Sequence, residues 1–422
     1  MKPLFISALY HPNQVGGAEK VARIVAEGML QQGHQPVVVT TQEGFGDRIA
    51  HVNGVKVYYL GLKNLYWPHT RKERSAIARA CWHGVDRYNP LMARAVARVL
   101  DAEKPDVVNT HSLTGFSCAV WNAVKSRRLP LIHTLHDYSL MCPRTSMFKD
   151  GRNCQGQCAA CALYTSPSKR LSAGVDHVVG VSRFILERHL ACGYFQLARQ
   201  ARVIHNALPG EPASGPRPPH PGGPLRLGYV GQLIPTKGIG KLVAQMGAWQ
   251  SWECELLVAG KGAAAYETVL RAEAPKNVRF LGFVDPDEVY RSIDLLVVPS
   301  LWEEPLGMIV PEAFMHGVPA VVAGRGGLTE MVEEGRTGIV YEPLEPLGLR
   351  QAVDVFLRDR RILDQMRPLV LERAKYFLQG RMQAEYLDLM AAATRLSASG
   401  NLARKPAGDC RSMLVQDDAG DP

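Results

Sequence analysis

Short, nearly unbroken apolar runs alternate along most of the chain with longer stretches whose apolar residues recur every three to four positions. Before residue 209 the runs fall at 4–9, 36–40, 55–60, 106–110, 131–135, 177–181 and 202–205. After residue 224 they fall at 225–231, 255–259, 278–281, 295–299, 320–323 and 338–341. The helical period occupies stretches between them, for example 18–32, 91–103 and 239–248. A strand without a polar face is one buried on both sides, and such strands alternating with helices make a parallel sheet covered by helices. The pattern therefore predicts an α/β protein of two doubly wound domains facing each other. Ligands of such sheets bind in the loops that follow the carboxyl ends of the strands.

The boundary between the halves is residues 209–224, where seven of sixteen positions are proline and four are glycine. Proline lacks a donor and glycine resists ordering, so the segment reads as a linker. The predicted domains are 1–208, with a cysteine-rich loop at 142–161, and 225–380. A C-terminal helix at 381–397 is expected to pack back on the first domain. Beyond it, 398–422 loses all period and reads as a disordered tail.

The 422 residues suit two domains, and no apolar run approaches the roughly 18 residues of a spanning helix. The opening Met1-Lys2-Pro3-Leu4-Phe5-Ile6 reads as a buried strand rather than a signal peptide. Nine cysteines, odd in number, fit a reducing cytoplasm better than a disulfide scaffold. The formal charge of +9 is unevenly spread: residues 1–210 hold 26 basic and 13 acidic side chains, a balance of +13, against −4 for the remainder. Lys63, Tyr66, Trp67, Arg71, Lys72, Arg74, Arg79, Trp82, Arg87, Arg94 and Arg98 interleave basic and aromatic groups. Such a surface suits anionic lipid head groups, while a solvated helix face is the plainer reading. No nucleic-acid-binding motif accompanies it.

Three strand-end loops of the second half carry candidate chemistry. The first is Gly231-Gln232-Leu233-Ile234-Pro235-Thr236-Lys237-Gly238, with a lysine at the head of a helix, suited to an anionic oxygen. The second runs from Ser300 to Ala313 and contains Glu304 and Glu312. Pro311 is expected at the first helical position, leaving residues 307–310 as a connecting loop whose amides face an anion. Two carboxylates beside such a site suit neutral hydroxyls, each accepting two donors. The third is Gly324-Arg325-Gly326-Gly327, another glycine turn entering a helix.

Together with Gly16-Gly17-Ala18-Glu19, His136-Asp137, Ser182-Arg183-Phe184 and Phe280-Leu281-Gly282-Phe283, these loops resemble the family 4 retaining glycosyltransferases of the GT-B type. The resemblance implies two Rossmann-like domains across a cleft and transfer of a sugar from a UDP- or GDP-linked donor. The implied acceptor is a saccharide or lipid-linked saccharide, in envelope or exopolysaccharide synthesis at the inner face of the cell membrane. It implies catalytic roles for His136, Glu304 and Lys237. It implies donor contacts from Gly16, Gly17, Gln232, Lys237, Glu304, Gly307, Met308, Ile309 and Glu312. No cofactor is then required, and Asp285-Pro286-Asp287 reads as a helix start rather than a metal site. Gln232 stands where many members carry arginine, and a neutral amide supplies no charge there. The alternatives are a sugar-nucleotide epimerase on the same fold and an inactive metal-binding interaction protein. Cys142, Cys154, Cys158 and Cys161 have spacings that suit structural zinc. An iron–sulfur cluster and four incidental thiols are the other readings.

Overall fold

The computed structural model describes residues 1–13, 17–70, 74–213 and 223–398. Gly16, Arg71, Lys72, most of the proline-rich segment and the tail from 399 lie outside the described residues. Two compact units emerge. The first comprises Met1–Met147, Gln155–Ala207 and the chain from Gln379; the second comprises Phe148–Cys154 and Leu208–Leu378.

In the first unit the early strands are β1 (Pro3–Ile6), β2 (Val37–Gln42), β3 (Arg48–Val52), β4 (Val55–Gly61), β5 (Val107–Thr110) and β6 (Leu131–Leu135). A short hairpin, β7 (Phe148–Lys149) and β8 (Arg152–Asn153), folds with the second unit. After it come β9 (His177–Gly180) and β10 (Gln200–Val203), and the sheet order is β10-β9-β6-β5-β1-β2-β4-β3. Every pairing is parallel except β3 with β4. Phe5, Val38, Val57, Val107, Ile132 and Val179 from these strands form one core with Val21, Val25 and Met29 of helix Gly17–Gln31. Met382, Tyr386, Leu389 and Met390 complete that core from helix Gln379–Ala398, so this last described helix folds with the first strands of the chain. Gln383 fastens the contact by donating to the Ile24 carbonyl at 3.0 Å.

The second unit carries β11 (Leu225–Val230), β12 (Cys254–Ala259), β13 (Val278–Gly282), β14 (Leu295–Val298), β15 (Ala320–Ala323) and β16 (Gly338–Tyr341). All pair in parallel, in the order β13-β12-β11-β14-β15-β16. Counted within the unit this is 3-2-1-4-5-6, the doubly wound order whose direction reverses between its first and fourth strands.

The apolar runs thus mark thirteen of the sixteen strands among the described residues, and β3, β7 and β8 lack one. One helix start differs from expectation. Residues 309–315 are already helical, with Met308 as cap, so Pro311 is the third helical residue and Val310 belongs to the helix. The first turn of a helix needs no intrahelical acceptor for its N–H groups, so proline is tolerated at its third position as well as its first.

Candidate active site

The loops after β11 and β14 meet at the reversal point of the second sheet. Residues Pro235–Lys237 make a single tight turn closed by Gly238, whose φ of +73° is left-handed. A Cβ on Gly238 would lie 1.8 Å from the Pro299 carbonyl oxygen, so glycine is what lets the first loop lie against the end of β14. Leu301 N–H then donates to the Thr236 carbonyl at 2.9 Å, tying the two loops together. This brings Lys237 Nζ to 2.6 Å from Glu304 Oε1, and Ser300 Oγ donates to the same oxygen at 2.5 Å. Glu304 is 5% exposed, whereas the lysine side chain keeps 27% of its surface. Its ammonium also lies 5.3 Å from the centroid of the Trp302 ring. A buried carboxylate thus holds a partly exposed cation in place at the reversal point of the sheet. Across this contact the two charges neutralise each other.

The glycine turn after β15 serves the same loop. Gly326 has φ of +57°, and a Cβ there would meet the Glu304 carbonyl oxygen at 2.2 Å. Gly327 donates its N–H to that oxygen at 2.7 Å. The pair lies against the backbone of Glu304. Gly307, at φ of +98°, leads into Met308 and the seven-residue helix Ile309–Met315. Glu312 in its first turn accepts from Tyr290 Oη at 3.0 Å. Burial, then the Glu312 charge, raises that phenol far above its usual range, so it stays a donor. Gln232 is exposed, and its carbonyl accepts from Tyr229 Oη at 2.7 Å. Asp285 accepts from Asp287 N–H at 3.1 Å and caps helix Pro286–Ser292, as its sequence predicts.

Gly17 and His136 belong to the first unit. Gly17 opens helix Gly17–Gln31, and a Cβ built there meets no atom of the described residues within 4 Å. His136 follows β6, and His111 follows β5, the strand on which the first sheet reverses beside β1. His111 Nδ1 lies 2.9 Å from His136 Nε2. Burial holds His136 down to about 3, and burial, then the neighbouring rings, holds His111 well below its usual range. Both imidazoles are neutral, so one donates to the other. His111 Nε2 is buried without a hydrogen-bond partner among the described residues. An orphaned acceptor is tolerated better than an orphaned N–H, which places the His111 proton on Nδ1 and the His136 proton on its own Nδ1. His136 is then neutral, with its N–H at Nδ1. The only advance sign of His111 is its position just past a buried strand, matching that of His136.

These rings predict a pH dependence. Burial keeps His111, His133, His136 and His189 (the last at about 4) neutral in the fold, while unfolded histidines take protons below about 6.5. Burial also holds Asp86 up to about 7 and raises Asp137, so these two keep protons that the unfolded chain releases above about 4. Their contribution is lost as pH rises, opposite in sign, and offsets up to two of the four histidine protons. The first unit is therefore most stable near neutral pH and loses stability as pH falls below about 6.5, where the buried histidines outnumber the two carboxyls. Thermal melts at pH 7.5 and 5.5 should show the midpoint falling; a flat profile would mean the rings are hydrated in the fold.

Of the clustered cysteines, Cys161 touches both Cys158 and Cys142 in the first unit, and burial, then those thiols, push it up to about 12. Cys154 closes the stretch that folds with the second unit. Among the described residues no three His, Cys, Asp or Glu side chains stand as a group able to hold a metal ion.

Comparison with known proteins gives a consistent result. The profile of Glycosyltransferase Family 4 matches residues 15–209, and that of Glycosyl transferases group 1 matches residues 224–359. An uncharacterized 42.6 kDa protein in the cps region of Klebsiella pneumoniae is 30% identical over 337 residues, covering 78% of this chain and 87% of that one. Sucrose-phosphate synthase from Thermosynechococcus elongatus superposes with a TM-score of 0.71 at 19% identity, over 93% of this chain and 99% of its own. An Anabaena protein solved in complex with UDP and glucose gives a TM-score of 0.67 at 18% identity, over 93% of this chain and 100% of its own. At these identities the two structures speak for a shared fold, the GT-B glycosyltransferase fold.

Proposed function

The chain belongs to the family 4 glycosyltransferases of GT-B fold, and from that premise we propose that it moves a sugar, with retention, from a UDP- or GDP-linked donor to a saccharide or lipid-linked saccharide. The observation that carries this reading is the Lys237–Glu304 pair at the reversal point of the second sheet. An exchangeable cation beside a hydroxyl-accepting carboxylate matches the two ends of a pyrophosphoryl sugar. Lys237 supplies positive charge where the leaving diphosphate gains negative charge. Glu304 accepts sugar hydroxyls, and Glu312, oriented by the Tyr290 hydroxyl, accepts ribose hydroxyls.

Retention then proceeds on one face of the sugar. The anomeric carbon–oxygen bond to the β-phosphate breaks, the acceptor oxygen bonds the anomeric carbon, and the acceptor proton passes to a phosphate oxygen. No side-chain nucleophile enters, so the two-carboxylate scheme of glycosidases does not apply. The relative from the cps region supports polysaccharide assembly as the setting.

A membrane-bound acceptor suits the helix Ala76–Arg87. Trp82 is its one buried residue, while Ile77 is 77% exposed and Arg79 is exposed beside it in sequence. Leu163, whose carbonyl accepts from Arg87, is 70% exposed. Apolar tips among arginines fit an anionic bilayer surface. No helix among the described residues is long and apolar enough to cross a membrane. Co-sedimentation with anionic but not neutral vesicles, lost in Ile77→Asp, is the expected behaviour.

The test of the main reading is a thermal-shift panel of nucleotide sugars. A cognate donor at a hundredfold excess over its Kd should stabilise by about 2.7 kcal/mol. Nucleoside diphosphate should then appear only when acceptor is added. A panel without any shift would overturn the reading, and turnover without acceptor would favour an epimerase.

A further inference from the structure

The loop that carries Glu304 is gripped from a third side by a residue with no place in the reading above. The hairpin β7–β8 lies between cysteines 142 and 154 in sequence, yet it folds with the second unit. Its turn is Asp150-Gly151, with φ of +52° and +73°, the two left-handed positions that a tight two-residue hairpin needs. That turn presents Asn153 at the end of β8 to the loop after β14. Asn153 Nδ2 donates to the Leu301 carbonyl at 2.8 Å, and its Oδ1 accepts from Glu303 N–H at 3.0 Å. One side-chain amide thus brackets the main chain on both sides of Trp302 and immediately before Glu304.

We propose that Asn153 is a positioning residue for Glu304, and through it for the donor sugar. The inference rests on Glu304 contacting that sugar. Three restraints hold the loop: Thr236 at Leu301, Gly327 at the Glu304 carbonyl, and Asn153 at Leu301 and Glu303. The first two come from the second unit's own strand-end loops. Asn153 comes from a segment more than seventy residues earlier in the chain, embedded in the cysteine-bearing stretch. Only an amide fits both bonds, because it carries a donor and an acceptor on one planar group. Aspartate keeps the bond to Glu303 N–H, loses the donor to Leu301, and sets a negative charge against the Leu301 carbonyl. Alanine loses both.

Asn153 is partly exposed, so its replacement leaves the core intact. The experiment compares wild type, Asn153→Ala, Asn153→Asp and, as a control on the same hairpin, the exposed Lys149→Ala. The readouts are affinity for free nucleoside diphosphate, affinity for the intact nucleotide sugar, and turnover. A positioning role predicts that Asn153→Ala lowers turnover and nucleotide-sugar affinity by about tenfold, because a small misplacement at the reacting centre is felt strongly. Free diphosphate affinity and the melting midpoint should stay within twofold and within a degree or two. Asn153→Asp should be impaired at least as much, and Lys149→Ala should match wild type. Equal loss of diphosphate and nucleotide-sugar binding, or an unchanged Asn153→Ala, would overturn the proposal. Failure of the underlying reading looks different: wild type itself would then bind no nucleotide sugar.

Discussion

Glu304→Gln should lower turnover about a hundredfold while nucleoside diphosphate binds at least as tightly as to the unaltered protein. The carboxylate is buried and receives both Lys237 and Ser300 on one oxygen, and the proposed reading puts sugar hydroxyls on the other. A hydrogen bond to a charged group contributes about 1.5–3 kcal/mol, and an amide in its place keeps the shape without the charge. Two sugar hydroxyls bound less well therefore account for roughly a hundredfold. Diphosphate affinity moves the other way, because removing the neighbouring anion unmasks Lys237. Folding should change little, since Lys237 is about a quarter exposed and water screens the pair. Lys237→Ala makes the opposite pattern: diphosphate affinity falls, and stability falls with it, because Glu304 is left buried and uncompensated. Calorimetric titration of UDP and GDP into both variants separates the two. Parallel loss of diphosphate binding in both would show that Glu304 acts only as a strut for the lysine.

That pairing was not legible in the sequence, although both residues were. Lys237 and Glu304 stand 67 positions apart, and only the strand order, which sets β11 beside β14, closes the distance. Apolar runs located the buried strands because a strand covered on both faces has no polar positions to interrupt it. The same criterion passes over β3, whose Arg48-Ile49-Ala50-His51-Val52 is largely exposed at the sheet edge. It also passes over the two-residue strands β7 and β8. Both hairpins nevertheless carry a local mark: Asn53-Gly54 and Asp150-Gly151 each adopt two positive φ values. Reading turn chemistry beside periodicity would have found them, and with the second the approach to Glu304. His111 lacked any such mark. Its role depends on a ring-to-ring bond across neighbouring strands, which sequence spacing does not express.

Gly326→Ala should cost about 3 kcal/mol of stability in the second unit and take donor binding with it. The left-handed φ of +57° costs an alanine about 1–2 kcal/mol by itself. The added methyl would stand 2.2 Å from the Glu304 carbonyl oxygen and 2.7 Å from its nitrogen, main-chain atoms that no rotamer change can move. Relieving that overlap adds a further 1–3 kcal/mol and pushes the loop away from Lys237. Gly335→Ala is the matched control, with φ of +71° and no atom of the described residues within 4 Å of the new methyl, so it bears only the backbone cost. The difference between the two midpoints in denaturant isolates the contact with Glu304. Equal midpoints would mean that the loop yields freely, and a loop that yields freely could not hold a carboxylate against a sugar. The glycine pair lets the main chain of Glu304 lie against it, so the turn after β15 holds that loop through its backbone.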